Sequence, residues 1–417
     1  MDTNTVVIGA GHAGLAVSRC LADRGVEHVV LERGRLGERW RTARWDSFRL
    51  LTPAWMMRLP GYAYEGEDGD AYLTAPELVG YLGDYARSFA APVHEMTTVN
   101  RVSRDGAGYV VGTDRGDWRS SNVVVATGYN SRGVIPAVAA GLPPELVQLN
   151  PASYRRPGLL PDGAVLVVGA SASGVQIADE LAQSGRDVVL AVGSHTRLPR
   201  RYRGRDILWW LDQIGSMDRT IDDVPDPIAA RREPSLQLAG SQRPVDLDAL
   251  QARGVRLAGR LIDAEAGDVR FADDLLATTT AADVRLNRVL ANIDRYAAAN
   301  VAGMSMAADV STVAAPAIPV RPGPRWLNLD RAGVRTVIWA TGFRPTYPWL
   351  TVPVLDPTGR IRHERGVTAA PGLYAIGLRF QHRRNATFID GARHDAAHVT
   401  DHLAARQSLQ RPLRHCH

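Results

Sequence analysis

Two glycine-rich segments, about 160 residues apart, could each hold the phosphates of a dinucleotide. Gly9–Gly14 has the spacing GxGxxG directly after an apolar run, and Gly169–Gly174 repeats it with Ser171 in the middle position. Glycines at these points permit a tight turn, close approach of a pyrophosphate and close packing of the next helix, whose N-terminus stabilises negative charge. The two segments therefore predict two dinucleotide sites.

The residues that would contact the ribose differ between the two segments. Glu32 lies about 20 positions beyond Gly9, at the end of a second apolar run. At the same distance beyond Gly169 there is Val192, and Arg197 then begins a stretch with five arginines in nine residues. A carboxylate accepts hydrogen bonds from a ribose diol, whereas an arginine accommodates a 2′-phosphate. The first site therefore suits FAD or NAD and the second NADPH; a solvated basic loop is the alternative for the run of arginines that begins at Arg197.

Composition argues against several other functions. The 417 residues include no lysine, which excludes mechanisms that need a Schiff-base lysine or a P-loop lysine. Cys20 and Cys416 are the two cysteines, without CxxC or zinc-type spacing, so we expect neither a dithiol relay nor a metal site. The net charge of +5 comes from arginines spread along the chain, which does not favour nucleic acid. Since no stretch is typical of a membrane span or a signal peptide, we expect a cytoplasmic protein.

The hydrophobic periodicity places these motifs in α/β units. Residues 5–32 have the pattern strand, helix, strand, and helices are predicted over 278–298 and 390–406. Two further apolar runs end in the same tripeptide, Ala126-Thr127-Gly128 and Ala340-Thr341-Gly342. The doubled glycine motif and the doubled strand ending indicate two nested nucleotide-binding units.

Six segments follow one another in an order that is typical of one enzyme family. They are Gly9–Gly14, Glu32, Gly37–Arg41, Ala126–Gly128, Gly169–Gly174 and Ala340–Phe343. In this the chain resembles the class B flavin-dependent monooxygenases, and among them the short bacterial members. The resemblance implies an α/β fold with two nested Rossmann-like dinucleotide-binding domains of the three-layer ββα/βαβ type. FAD would bind to residues 1–149 and 320–417, and NADPH to residues 150–319, which would include a partly helical insertion over about 225–310.

Motifs and resemblance together indicate a set of site residues. Those expected to contact FAD or NADPH are Gly9, Gly11, His12, Ala13, Gly14, Glu32, Arg33, Trp40, Arg41, Val99, Ala126, Thr127, Gly128, Gly169, Ser171, Ser173, Gly174, Arg197, Arg200, Arg201, Thr341, Gly342, Gly377, Asp390 and Ala392. Asp390 and Ala392 stand where related flavoproteins direct a helix N-terminus at the flavin, and its dipole would favour reduced flavin.

Arg41 and Asn150 are the candidate catalytic residues, with an ordinary structural hydrogen bond as the alternative for each. The family fingerprint FxGxxxHxxxY is altered here, because the segment Asn150–Tyr154 keeps the tyrosine but has asparagine at the histidine position. Asparagine donates and accepts hydrogen bonds but does not titrate near neutral pH.

The activity that the resemblance implies is oxygenation. NADPH would reduce FAD, and a flavin peroxide formed with O₂ would deliver one oxygen atom to a small, mainly apolar substrate. An NADPH-dependent flavoprotein reductase without oxygen insertion is the alternative, and a flavin-binding sensor is a third hypothesis. The expected partners are the substrate and O₂, without nucleic acid or membrane, and the expected state is a monomer or homodimer. An aromatic and methionine cluster, Trp45, Phe48, Trp55, Met56 and Met57, could line a pocket or belong to the core.

Overall fold

Two sheets with parallel cores organise the computed structural model, which describes residues 1–300 and 317–410. Cys416 and the last part of the predicted insertion, residues 301–310, lie outside the described residues. The expected α/β fold with two nested Rossmann-like units is confirmed by this arrangement.

The described residues form nine α-helices, of which two confirm the helices predicted from periodicity. In chain order the helices are α1 His12–Asp23, α2 Glu38–Thr42, α3 Ala75–Ser88, α4 Ala172–Gln183, α5 Ile207–Gln213, α6 Pro227–Ala230, α7 Leu247–Ala252, α8 Leu275–Asn300 and α9 Ala392–Gln410. The predicted helices over 278–298 and 390–406 correspond to α8 and α9. None of the described helices has both the length and the apolar character needed to cross a membrane.

Most strands are short, and the longer ones belong to the two main sheets. In chain order the strands are β1 Asp2–Ile8, β2 His28–Leu31, β3 Arg58–Leu59, β4 Tyr62–Ala63, β5 Val93–His94, β6 Val99–Asp105, β7 Gly108–Thr113, β8 Trp118–Val125, β9 Arg132–Gly133, β10 Val147–Leu149, β11 Ala164–Val168, β12 Val188–Ala191, β13 Thr196–Arg197, β14 Arg201–Tyr202, β15 Arg205–Asp206, β16 Leu236–Gln237, β17 Arg256–Ala258, β18 Leu261–Glu265, β19 Asp268–Phe271, β20 Trp326–Asn328, β21 Val334–Trp339, β22 Phe343–Arg344 and β23 Leu373–Ala375.

The first sheet has the order β5-β2-β1-β8-β7-β6, with β23 also paired to β8. β1 pairs in parallel with β2 and β8, so that Ile8 is opposite both Leu31 and Val125. Both faces of β1 are buried, as is usual in parallel sheets. Val7 packs with helices α1, α3 and α9, whereas Val6 packs with the β6–β7 hairpin. This gives the three layers expected for the unit.

The second sheet repeats this plan with the order β10-β21-β11-β12-β17, all parallel. Val167 packs on the α4 side, and Val168 packs toward the three-stranded antiparallel sheet β18-β19-β20. Two expected boundaries are corrected by this sheet. β21 belongs to the second unit, so that unit extends past residue 320, and the supposed insertion over 225–310 contains β17, a strand of the sheet itself. The apolar sequence of a strand is compatible with either sheet, and only the observed strand pairing shows to which sheet it belongs.

In both units the last glycine of the motif lies very close to the carbonyl oxygen of the first. A Cβ on Gly14 would lie 1.9 Å from the carbonyl oxygen of Gly9, and one on Gly174 would lie 1.8 Å from that of Gly169. Gly9 has φ +110° and Gly169 φ +109°, in the region that favours glycine. These contacts bring the first turn of the helix directly against the end of the strand.

We expect Gly174→Ala to destabilise the protein, because its methyl group would overlap backbone that cannot move aside. The expected loss is about 3 kcal/mol, measured as a fall in Tm by calorimetry. Gly80→Ala is the matched control, since Gly80 is exposed on α3 with no atom within 4 Å of its added Cβ. An unchanged Tm for Gly174→Ala would contradict the close approach.

Candidate functional site: a cavity lined by both units

A cavity of ≈ 2250 Å³ is lined by residues of both units. This is larger than the roughly 300–1,000 Å³ typical of a pocket for one small ligand. Its lining includes the first glycine turn, the ends of β2 and β8, the loop after β12, and parts of α5 and α8. Because the carboxyl ends of parallel strands meet at one edge of a sheet, these segments converge. The cavity therefore has room for more than one ligand.

Most of the residues predicted to contact the first dinucleotide do line this cavity. They are Gly9, Gly11, His12, Ala13, Glu32, Arg33, Trp40, Val99, Ala126, Thr127, Gly128 and Gly377. Gly14 is absent from the lining, because it packs against the carbonyl of Gly9 behind the turn.

Glu32 is held in place by the backbone around it. One carboxylate oxygen accepts a hydrogen bond from the Ala10 amide at 2.9 Å, and the other accepts from the Gly34 amide at 3.1 Å. Each oxygen has further acceptor capacity. This anchored carboxylate at the end of β2 fits a ribose diol.

The turn beside Glu32 has the properties of a phosphate cradle. A Cβ added to Gly11 would have no neighbour within 4 Å, so this face of the turn is open to the cavity. The Nε2 atom of His12 and the Oγ1 atom of Thr127 are buried, and neither has a hydrogen-bond partner among the described residues. Burial lowers the pKa of His12 to about 4, so its imidazole is neutral at pH 7. An open backbone turn with unpartnered polar atoms fits the dinucleotide expected from the sequence.

Arg41, expected from the sequence as a catalytic and cofactor-binding residue, lies outside the lining of the large cavity. Arg41 is exposed on α2, and its Nε donates to the carbonyl of Leu36 at 3.1 Å, away from the large cavity. Trp40, one position earlier, does line the cavity, as do Arg39 and Arg44, which the sequence analysis missed. The guanidinium carbon of Arg44 lies 4.4 Å from the Trp40 ring centroid. The helical twist of α2 turns neighbouring residues in different directions.

Asn150 also lies outside the lining of the cavity. Its side-chain oxygen accepts from the backbone amide of Ala152 at 2.8 Å, and its own backbone amide donates to Ser153 Oγ at 3.0 Å. Asparagine commonly makes such local bonds to the backbone at turns. The structural alternative for Asn150 is therefore favoured. Tyr154 is buried too, with its hydroxyl donating to Glu180 at 2.8 Å.

The predicted arginine cluster after β12 is used inside the protein. Arg197 is buried and forms an ion pair with Asp283 of α8 at 2.7 Å. Arg200 is buried beside Asp206, stacks 4.4 Å from the Tyr72 ring centroid and donates to the Leu51 carbonyl at 2.8 Å. Buried guanidinium groups need such partners. Arg197 and Arg200, expected from the sequence to contact a phosphate, are thus engaged with carboxylates inside the protein and do not line the cavity.

Several other predicted residues also lie outside the lining of the cavity. They are Gly169, Ser171, Ser173, Gly174, Arg201, Thr341, Gly342, Asp390 and Ala392. Gln237 of β16 covers the second glycine turn, since its side chain donates to the Ala170 carbonyl. Arg201 is exposed and donates to the Gly204 carbonyl. Asp390 is buried, and its carboxylate accepts from Arg58 at 2.7 Å and from Arg393 at 3.1 Å. The positive charges of these two arginines therefore balance its negative charge.

Comparison with known proteins gives matches along the whole chain. Residues 6–207 match the family described as pyridine nucleotide-disulphide oxidoreductase. The "uncharacterized oxidoreductase CzcO-like" protein of Geobacillus kaustophilus is 31% identical over 411 residues, which cover 96% of this chain and 98% of that protein. Indole-3-pyruvate monooxygenase YUCCA6 of Arabidopsis thaliana is 30% identical over 224 residues, or 48% of this chain and 51% of that protein. A flavin-containing monooxygenase structure from Stenotrophomonas maltophilia, 19% identical, shares the fold with a TM-score of 0.69 over 97% of this chain and 99% of that one.

We expect Arg197→Met to destabilise the protein by about 3–5 kcal/mol, because it leaves the buried Asp283 carboxylate without its cation. The double variant Arg197→Met/Asp283→Leu should recover most of the loss in Tm. Arg201→Gln is the control, since that side chain is exposed. If Arg197→Met kept the wild-type Tm and weakened only NADPH binding, Arg197 would be a ligand contact after all.

Proposed function

This chain belongs to the family of CzcO-like oxidoreductases, and we propose that it is an FAD-dependent monooxygenase that receives its electrons from NADPH. The observation that supports this most directly is the large cavity, which joins the first glycine turn to residues of the second unit. Two dinucleotides can exchange a hydride only where they meet. The cavity provides one place where both could meet a substrate.

The first unit contains the residues that would hold FAD. Glu32 would accept hydrogen bonds from the ribose, and the open turn at Gly11 with the N-terminus of α1 would bind the pyrophosphate. His12 and Thr127 each have a buried polar atom available there. When bound, FAD supplies the redox chemistry, taking electrons from NADPH and passing them to O₂.

The chain's own contribution is to position the reactants and to exclude water. Apolar and aromatic side chains line the cavity beyond the glycine turn, among them Met217, Trp349, Phe380 and Phe388. They would favour a small, mainly apolar substrate and keep the reacting centre dry. Of the aromatic and methionine cluster predicted as a possible wall, Trp45, Met56 and Met57 are buried in the core instead.

Some features remain predictions from the sequence. These are a cytoplasmic location and a monomeric or homodimeric state. The disulphide chemistry in the name of the matching family does not suit this chain, because the sequence has no CxxC pair and Cys20 is a buried free thiol.

Gly11→Ala should fold normally yet hold FAD about tenfold less tightly, because its methyl group would occupy space that the pyrophosphate needs. The measurement is FAD content and FAD affinity after removal and re-addition of the cofactor. Gly158→Ala, at an exposed glycine that likewise has open space around its added Cβ, should behave as wild type. Unchanged FAD affinity in Gly11→Ala would contradict the assigned phosphate cradle.

Oxygenation itself is tested by stoichiometry. With a panel of small apolar amines, sulfides and ketones, we expect some substrate to yield one oxygenated product for each NADPH and O₂ consumed. Oxygen recovered entirely as H₂O₂ with every compound would contradict oxygen insertion. Anaerobic NADPH oxidation supported by an added electron acceptor, without product in air, would favour the reductase alternative.

A further inference from the structure

We propose that the 2′-phosphate of NADPH is recognised by helix α8, through Arg285 and Arg288, and not by the arginines that follow β12. The inference rests on the proposed use of NADPH and names the residues that would select it over NADH. Arg285 and Arg288 lie about 90 positions after the loop that they would assist.

The loop after β12 presents hydroxyl groups to the cavity. β12 has the position in the second sheet that β2 has in the first, since Val168 is opposite Ala191 as Ile8 is opposite Leu31. Ser194 of this loop and Thr196, the first residue of β13, line the cavity, and residues 192–196 include no carboxylate. A loop without an acid at this place does not repel a phosphate on the ribose, and its hydroxyls can donate to one.

Helix α8 is anchored against that loop by two contacts. Asp283 forms the buried ion pair with Arg197 at 2.7 Å. Arg285 donates from Nη2 to the carbonyl oxygen of His195 at 2.7 Å. A guanidinium group has five N–H donors, so this contact leaves others for a ligand. Arg285 also lines the cavity, which places a cation beside Ser194 and Thr196.

Arg288 lies nearly one turn further along the same face of α8. It is exposed and lines the cavity. No hydrogen bond or ion pair of Arg288 occurs within residues 1–300 and 317–410. Residues three apart on a helix are neighbours, so Arg285 and Arg288 can engage one group together. A phosphate monoester carries nearly two negative charges and suits paired guanidinium forks.

The arginines of the cluster after β12 and those of α8 thus differ in their surroundings. Arg197 and Arg200 meet the buried carboxylates of Asp283 and Asp206. Arg288 has no such partner among the described residues and faces the cavity. An anionic ligand is the natural counterpart for the second kind of arginine.

The experiment uses the purified protein with its FAD and two fragments, 2′,5′-ADP and 5′-AMP, which differ by the 2′-phosphate. Calorimetric titration should show that wild type binds 2′,5′-ADP more tightly. Arg288→Gln should weaken 2′,5′-ADP by roughly ten- to hundredfold, the usual worth of a hydrogen bond to a charged group. The affinity for 5′-AMP should change by less than about twofold, and Arg288→Lys should restore part of the preference.

Two control variants locate the effect. Arg295→Gln removes an arginine that also lines the cavity on α8, roughly 10 Å further along the helix, and it should keep the wild-type preference. Arg201→Gln removes an exposed arginine of the cluster after β12 and should keep it too. The inference is overturned if wild type shows no preference for 2′,5′-ADP, if Arg288→Gln lowers both affinities equally, or if Arg201→Gln abolishes the preference while Arg288→Gln does not.

This result is separable from a failure of the proposed oxygenation. Fragment binding needs neither turnover nor substrate, so it would persist in a pure reductase. Conversely, loss of the fragment preference would leave oxygenation supported by NADH intact.

Discussion

The close contact between glycine turn, helix and strand is the constraint on which both units depend. In each unit the first helix begins so near the preceding strand that no side chain fits at the last glycine of the motif. This contact directs the helix N-terminus at the carboxyl edge of the sheet, where Glu32, Thr127 and the open face of Gly11 are brought together. A binding site for an anionic dinucleotide follows from backbone geometry before any charged side chain is added.

The second unit uses the same backbone plan with a different distribution of charge. Its basic loop is tied to the protein by buried ion pairs, of which Arg197–Asp283 connects the loop to α8. Such pairs contribute little net stability against apolar replacements, but they are costly to break singly and fix one arrangement of the segments. Arginines close to an expected ligand site can therefore be held inside the protein by ion pairs, while α8, a helix far away in the chain, adds Arg285 and Arg288 to the arginines that line the cavity.

The outcome of individual residues shows how far sequence reasoning reaches. The motif around Gly9, with Glu32 at the expected distance, has the predicted position at the cavity, because its geometry is local and propagates along one strand–helix–strand unit. Arg41 and Asn150 were expected there as well, but one lies on the outer side of a short helix and the other caps a turn. Neither side chain lines the cavity, because side-chain direction depends on how an element packs and not on its place in the sequence.

The sequence by itself determined the two nucleotide-binding units, their order and the absence of paired redox cysteines, since glycine spacing and apolar periodicity are properties of neighbouring residues. Only the tertiary structure decided the membership of β21 in the second sheet, the burial of Arg197 and Arg200, and the arrival of Arg285 and Arg288 at the cavity. The physical reason is that the role of a charged side chain depends on the groups that surround it. Arg197 is surrounded by protein and pairs with Asp283, whereas Arg285 lines the open cavity. Both surroundings arise from contacts between segments about 90 residues apart.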